Sequence, residues 1–170
     1  MAKCIELMTG MSLGSLAPSA CRKEMEFFIP VTGMNALQLD RISREHDEVS
    51  RVAPMIQDRP LKGMLKGFID LLFEYQGRYY VLDYKSNYLG DDFADYEPEK
   101  LVHAIAEHRY DLQYQLYTLA LHRLLKQRLP NYDYDKHVGG VVYLFLRGMQ
   151  PEQQTGVFKS RLSLQHLTAL

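Results

Sequence analysis

The sequence of 170 residues predicts an α/β domain in which strands and helices share one core. Three segments carry this prediction. Residues 67–87 resemble two apolar strands joined by a tight turn, residues 98–129 have the longest helical pattern, and residues 138–149 form an apolar run bounded by glycines. A chain of this length is one ordinary domain with enough residues to bury a sizeable core.

The first part of the chain has weaker signals than the rest. Residues 1–22 contain much Gly, Ser and Pro and are predicted to be a loosely ordered lead-in, so that a single domain occupies residues 23–170. Residues 24–31 alternate polar and apolar before they reach Pro30, which favours an edge strand. Residues 35–51 have a partial apolar stripe among many charges, which predicts either a weak helix or a loop.

The second half of the chain has clearer periodicity. Apolar residues recur every three or four positions over residues 98–129, which predicts one long helix that Pro130 ends. The apolar run at 138–149 is typical of a strand that is covered on both faces. Residues 154–160 predict one short edge strand, followed by a tail.

Composition and charge exclude several classes of protein. Apolar residues make up 46% and charged residues 24%, as in ordinary globular proteins. The net charge of -1 argues against binding of nucleic acid by bulk electrostatics, so any such contact depends on a local site. No apolar run is long enough to span a membrane and no leader opens the chain, which predicts a cytoplasmic protein. Cys4 and Cys21 have no partner at metal-ligand spacing and are predicted to be free thiols.

An acidic pair lies inside the predicted hairpin. We expect residues 76–77, Gln and Gly, to form a two-residue turn. Counting outward from that turn places Asp70 directly opposite Asp83, with Cβ atoms roughly 5 Å apart on one face. Lys85 points to the same face because strand side chains alternate. Two carboxylates held this close repel each other unless a proton or a cation lies between them.

The acidic pair suits a metal ion. A hard divalent ion, Mg²⁺ in particular, fits two such carboxylates because it prefers oxygen ligands and keeps several waters. Lys85 could then orient or help deprotonate a water molecule, or neutralise charge on a phosphate. A structural ion pair between Lys85 and one aspartate is the alternative. Gln113 and Tyr117 lie four apart on one helix face and could reach the same phosphate or lysine, although residues of these types are commonly ordinary helix residues.

Four segments together resemble the C-terminal nuclease domain of the RecB family, within the PD-(D/E)XK nuclease superfamily. They are GMLKGFIDLLF, YYVLDYKSNYLG, HRYDLQYQLYTLALHR and GGVVYLFLRGM. The similarity extends from about Glu24 to about Arg161, in the same order and with similar gaps. It implies a restriction-endonuclease-like core, with a central mixed sheet flanked by helices, and a Mg²⁺-dependent DNA nuclease activity.

The resemblance also implies roles for particular residues. Asp70, Asp83 and the main-chain carbonyl of Tyr84 match the ligands of one Mg²⁺ per site, which Mn²⁺ or Ca²⁺ can replace in binding. Lys85 matches the catalytic lysine. Gln113 and Tyr117 match the Q-x-x-x-Y motif of RecB-like nucleases and are candidate catalytic residues as well.

Partners follow from the same resemblance. In the family this domain works with RecC and RecD in an ATP-driven helicase-nuclease, and it degrades single-stranded DNA ends during double-strand-break repair and recombination. The alternative is a docking module that contacts RecC or a recombinase and cuts nothing.

The sequence also departs from the family pattern. RecB-like nucleases have a metal-ligating histidine in a G-x-x-x-H setting on a helix upstream of the hairpin. None of the six histidines stands in that setting; they are His46, His103, His108, His122, His137 and His166. The tail also ends before the family's final helix. We therefore expect an N-terminally incomplete fragment with an incomplete metal site and weak nuclease activity.

Overall fold

The computed structural model describes residues 6–8, 11–31, 35–58, 60–151 and 153–170. The strands are β1 (Glu6–Met8), β2 (Met11–Ser12), β3 (Cys21–Pro30), β4 (Met64–Tyr75), β5 (Arg78–Lys85), β6 (Val138–Phe145) and β7 (Val157–Ser160). The helices are α1 (Ala36–His46), α2 (Glu48–Val52), α3 (Pro98–Glu107), α4 (Tyr110–Arg128), α5 (Tyr134–His137) and α6 (Leu164–Ala169). Across these described ranges, every helix is too short or too polar to cross a membrane.

Five strands form one mixed sheet in the order β3-β4-β5-β6-β7. Strands β5 and β6 are parallel, and the other three neighbouring pairs are antiparallel. A parallel pair needs a long crossover connection, which here contains α3 and α4. Strands β3 and β7 are the edges, as predicted for residues 24–31 and 154–160. The α/β class and the mixed sheet flanked by helices are therefore confirmed.

Both faces of the sheet are covered by apolar side chains. Along β6, Val141 and Tyr143 belong to the main core, which the helices complete, whereas Val142 and Leu144 belong to a smaller core on the opposite face. Seven of the eight residues of β6 are buried. This confirms the strand covered on both faces that the apolar run predicts.

Residues 11–22, inside the predicted lead-in, have regular structure. Strand β2 pairs with β1, and two short 3-10 turns follow at Leu13–Ser15 and Pro18–Ala20 before β3 begins. The side chain of Met11 is fully buried in the smaller core. Burial of apolar surface thus orders a segment whose composition indicated a loop. The boundary between lead-in and domain at residue 22 stays a prediction.

The segment at 35–51, predicted as a weak helix or a loop, forms α1 and α2. Each helix begins with a side-chain cap, because the Asn35 side chain accepts from the main-chain N–H of Gln38 and the Asp47 side chain accepts from that of Ser50. These caps satisfy amide groups that the first turn of a helix leaves without partners. The helical alternative is therefore correct.

The long helix predicted at 98–129 is two helices. The break lies at Arg109, which has a left-handed backbone with φ of 55° and separates α3 from α4. A residue other than glycine keeps this conformation only where its surroundings stabilise it. The guanidinium donates to the side chains of Asp40 and Asp111 and to the main-chain oxygen of Pro54. The apolar periodicity continues across the break, so the prediction of one helix was wrong.

The prediction of free thiols can be compared with the structure for one of the two cysteines. Cys21 is a free thiol at the start of β3, as predicted. Cys4 lies outside the described residues.

Candidate active site

The β4–β5 hairpin has the register that the sequence predicts. The turn at residues 76–77 has φ of 51° and 76°, which matches a two-residue turn with positive φ at both positions. Pairing continues outward from the turn to Leu71 opposite Leu82. Asp70 and Asp83 come next on their two strands, so the acidic pair stands at the end of this ladder.

A buried ion pair joins Asp83 and Lys85. The Nζ atom of Lys85 lies 2.6 Å from Oδ2 of Asp83 and donates to Oε1 of Gln113 at 2.7 Å. The ring centroids of Tyr110 and Tyr143 lie 3.8 and 4.7 Å from the same ammonium. The Lys85 and Asp83 side chains are only 8% and 7% exposed. The lysine therefore has a fixed position, enclosed by a carboxylate, an amide and two aromatic faces.

Helix α4 brings an amide and a phenol to this pair. Nε2 of Gln113 donates to the hydroxyl of Tyr117 at 2.8 Å. That hydroxyl lies 2.8 Å from the main-chain oxygen of Phe68 and 3.2 Å from Oδ1 of Asp83, and can donate to one of them at a time. Burial raises the pKa of Tyr117, and the charge of Asp83 raises it further, so the phenol keeps its proton. The structure thus brings Gln113 and Tyr117 to the predicted pair of Asp83 and Lys85.

The side chain of Asp70 forms a hydrogen bond across the end of the hairpin. Its Oδ2 atom accepts from the main-chain N–H of Tyr84 at 2.9 Å. Its charge contributes to raising the pKa of both Asp83 and Tyr117. The two aspartates therefore act electrostatically on each other.

The donors of the site fit a hard divalent cation. Burial raises the pKa of Asp83, the Lys85 ammonium opposes this shift, and the Asp70 carboxylate adds to it. A buried carboxylate in this environment would be stabilised by a further positive charge. Within the described ranges, no group of three or more His, Cys, Asp or Glu side chains is placed to hold a metal ion. Two carboxylates are nevertheless enough for Mg²⁺, which typically takes one or two and keeps several waters.

Glu24 is an acidic neighbour that the sequence analysis did not identify. The pairs on either side of it in the β3–β4 ladder place it opposite Asp70. It has a left-handed backbone, with φ of 50°, and lines a cleft of about 560 Å³ together with Asp70 and Tyr84. The proximity of Glu24 to Asp70 follows only from the register of β3 against β4. The sequence around Glu24 contains no turn signal that would predict its left-handed backbone.

Comparison with known proteins gives the family of this chain. Residues 31–169 match the PD-(D/E)XK nuclease superfamily. The RecBCD enzyme subunit RecB of Escherichia coli K12 is 50% identical over 155 residues, which cover 90% of this chain and 13% of that protein. The subunit of the same name from Haemophilus influenzae Rd is 42% identical over 162 residues, or 95% of this chain and 13% of that protein.

A third relative, matched over a shorter stretch, shares the same name. The RecBCD enzyme subunit RecB of Mycobacterium tuberculosis H37Rv is 50% identical over 93 residues, which cover 54% of this chain and 8% of that protein. The chain thus spans only a small part of the relatives that it matches. Since the superfamily match covers most of its length and the α/β sheet is the expected one, the chain belongs to the PD-(D/E)XK nuclease superfamily.

Proposed function

We propose that this chain is the catalytic core of a RecB-type, Mg²⁺-dependent DNA nuclease. Its reaction would be hydrolysis of phosphodiester bonds in single-stranded DNA ends, in the repair of double-strand breaks and in recombination. The observation that supports this most is the buried cluster in which Asp83, Lys85, Gln113 and Tyr117 contact one another beside Asp70. Such a concentration of charged and polar groups is costly in a core and is typical of a functional site.

The hairpin end would hold the cation. In this proposal the ligands are the carboxylates of Asp70 and Asp83 and the main-chain carbonyl of Tyr84. A divalent cation, when bound, supplies positive charge against the scissile phosphate and makes a water molecule more acidic. Mn²⁺ or Ca²⁺ would replace Mg²⁺ in binding.

Lys85 would supply a second positive charge at a fixed position. Asp83 and Gln113 hold its ammonium at 2.6 and 2.7 Å, so little reorganisation is needed when negative charge develops on the phosphate. The same lysine can orient the attacking water.

Gln113 and Tyr117 hold the lysine and the aspartate in place. Oε1 of Gln113 also accepts from the hydroxyl of Tyr143 at 2.9 Å, which fixes the orientation of the amide and leaves its Nε2 to donate to Tyr117. A contact of either side chain with DNA phosphate is part of the proposal.

The larger assembly is proposed from the relatives. Their printed name makes them subunits of the RecBCD enzyme, so we propose RecC and RecD as partners of the protein to which this domain belongs. DNA is the proposed substrate, and the cytoplasm is the proposed location. A docking module for RecC or a recombinase, which cuts nothing, is the second candidate, and it has no need of an ion at the hairpin.

Thermal unfolding with and without Mg²⁺ distinguishes the two candidates. A ligand at 100 times its dissociation constant stabilises the folded state by about 2.7 kcal/mol, which raises the Tm of a domain of this size by about 5–10 °C. We expect such a rise for the wild-type chain and none for Asp83→Ala. Asp58→Ala is the matched control, because Asp58 is an exposed aspartate outside the cluster. Equal shifts in all three proteins, or no shift in the wild type, would favour the docking module.

A further inference from the structure

An exposed aromatic face lies beside the proposed active site. It consists of Phe28, Lys66 and Phe68, on the part of the β3–β4 pair that extends beyond β5. In the register, Phe28 stands opposite Lys66, and Glu26 stands opposite Phe68. These side chains therefore point to one side of the two strands. Phe28 and Phe68 are 54% and 52% exposed, which is unusual for such large apolar side chains.

A cation lies between the two rings of this aromatic face. The Nζ atom of Lys66 is 5.6 Å from the ring centroid of Phe28 and 5.2 Å from that of Phe68. The same ammonium forms an ion pair with Glu26, and about half of the lysine side chain is exposed. The aromatic face thus exposes two rings and one ammonium. An incoming anion could replace Glu26 as the partner of that ammonium.

The aromatic face is continuous with the proposed active site. The main-chain oxygen of Phe68 lies 2.8 Å from the Tyr117 hydroxyl. Lys66 and Phe68 also line a cleft of about 450 Å³ that Gln113 and Tyr117 line from the helix side. Phe68 precedes Asp70 by two residues on the same strand. A chain bound across this face would therefore approach Asp70 along strand β4.

We propose that the aromatic face binds single-stranded nucleic acid, with bases stacked on Phe28 and Phe68 and a backbone phosphate bound by Lys66. This inference rests on the proposed nuclease function. Exposed aromatic rings beside a cation are the elements that bind single strands with little sequence preference. A duplex keeps the faces of its bases stacked inside, so the surface selects single strands. Local stacking also suits a chain whose net charge of -1 provides no general attraction for DNA.

The test measures binding of the full chain to a labelled oligothymidylate by fluorescence anisotropy, in EDTA so that no cleavage occurs. We expect Phe68→Ala to weaken binding by about 5- to 100-fold, because each base stacked on an aromatic ring contributes that much affinity. Phe68→Trp should bind as well as the wild type, whereas Phe68→Leu, which is apolar but has no ring, should not. Phe93→Ala removes an equally exposed ring outside the face and is the control.

The lysine has its own measurement. Lys66→Ala should reduce the slope of the logarithm of affinity against the logarithm of salt concentration by about 0.7, the value for one phosphate contact on a single strand. Glu26→Gln should strengthen binding, because it frees Lys66 from its ion pair. An unchanged salt slope in Lys66→Ala would contradict the phosphate contact.

Three outcomes would overturn the inference. In the first, Phe68→Ala binds oligothymidylate as the wild type does. In the second, Phe68→Leu binds as well as Phe68→Trp, which would mean apolar contact without stacking. In the third, sedimentation shows that Phe68→Ala separates a dimer while DNA binding is unchanged, so that a second copy of the chain covers the face. If Phe68→Ala does not fold, Phe28→Ala and Phe28→Trp make the same comparison.

Failure of this inference is distinguishable from failure of the proposed function. A chain that binds oligothymidylate through the aromatic face and cuts no DNA with Mg²⁺ would contradict the nuclease function alone. A chain that cuts DNA with Mg²⁺, but whose binding is unaffected in Phe68→Ala, would contradict the aromatic face alone.

Discussion

Replacing Lys85 with methionine is expected to slow Mg²⁺-dependent cleavage of linear single-stranded DNA by about 100- to 1,000-fold, the usual effect of removing one group that stabilises transition-state charge. Methionine fills a similar volume without the charge, so the packing against Tyr110 and Tyr143 is largely kept. The measurement is the rate of release of short products from an end-labelled strand at saturating Mg²⁺.

Ion binding separates the role of the lysine from that of the aspartates. In Lys85→Met, the rise in Tm with Mg²⁺ should persist or increase, because the ammonium no longer competes with the ion for Asp83. In Asp83→Ala, both the rise in Tm and the cleavage should disappear. A single structural ion pair between the two residues would instead make both variants equally unstable and leave Mg²⁺ without effect in the wild type.

Lys100→Met is the matched control for the lysine. Lys100 also pairs with an aspartate, Asp95, at 2.6 Å, but on the surface. Its replacement should leave cleavage unchanged. If Lys85→Met cuts DNA as fast as Lys100→Met, another group must supply the charge and the proposed role of Lys85 is wrong. If the wild type binds Mg²⁺ and cuts nothing, the nuclease activity proposed for this chain is wrong.

The hairpin could be predicted from sequence because two local rules determine it. A Gln-Gly turn sets the register, and the two-residue period of strands then sets which side chains share a face. These rules place Asp83 and Lys85 together, and the structure has their charged atoms 2.6 Å apart. Helical spacing likewise places Gln113 and Tyr117 on one face of a helix. The spacing does not predict which strand that face contacts, because this depends on how the helix packs on the sheet.

The features that sequence analysis missed depend on contacts between distant segments. The break between α3 and α4 needs Arg109 to meet Asp40, which lies 69 residues earlier. Met11 is buried because the sheet offers an apolar face to it. Glu24 becomes a neighbour of Asp70 only through the β3–β4 register. In each case the local pattern does not contain the deciding contact, and tertiary contacts determine the outcome.

Replacing Arg109 with alanine is expected to lower the free energy of unfolding by about 3–5 kcal/mol, the usual cost of leaving buried charges without their partner. Nη2 of Arg109 donates to Asp40 at 2.7 Å and to Asp111 at 3.0 Å. The side chains of these aspartates are only 3% and 0% exposed. Ser50 also donates to Asp111, at 2.7 Å, so the network joins α2 to the first turn of α4.

The effect of this replacement should depend on pH. Burial raises the pKa of Asp40, but hydrogen bonds from Arg44 and Arg109 outweigh burial and hold it below its usual value. A carboxyl with a lowered pKa stabilises the folded state above its unfolded pKa of about 3.9, and this contribution is lost as pH falls through the lower, folded value. The difference between Arg109→Ala and the wild type should therefore be largest near pH 7 and shrink in acid.

Chemical denaturation at several pH values measures this difference directly. Arg109→Lys keeps the charge but lacks the planar fork that reaches two carboxylates at once, so its stability should lie between those of Arg109→Ala and the wild type. Arg128→Ala, at the exposed end of α4, is the control and should change the free energy of unfolding by less than about 0.5 kcal/mol. A loss in Arg109→Ala as small as that of Arg128→Ala would show that Arg44 alone satisfies Asp40. The left-handed backbone at the break between α3 and α4 would then need another cause than this network.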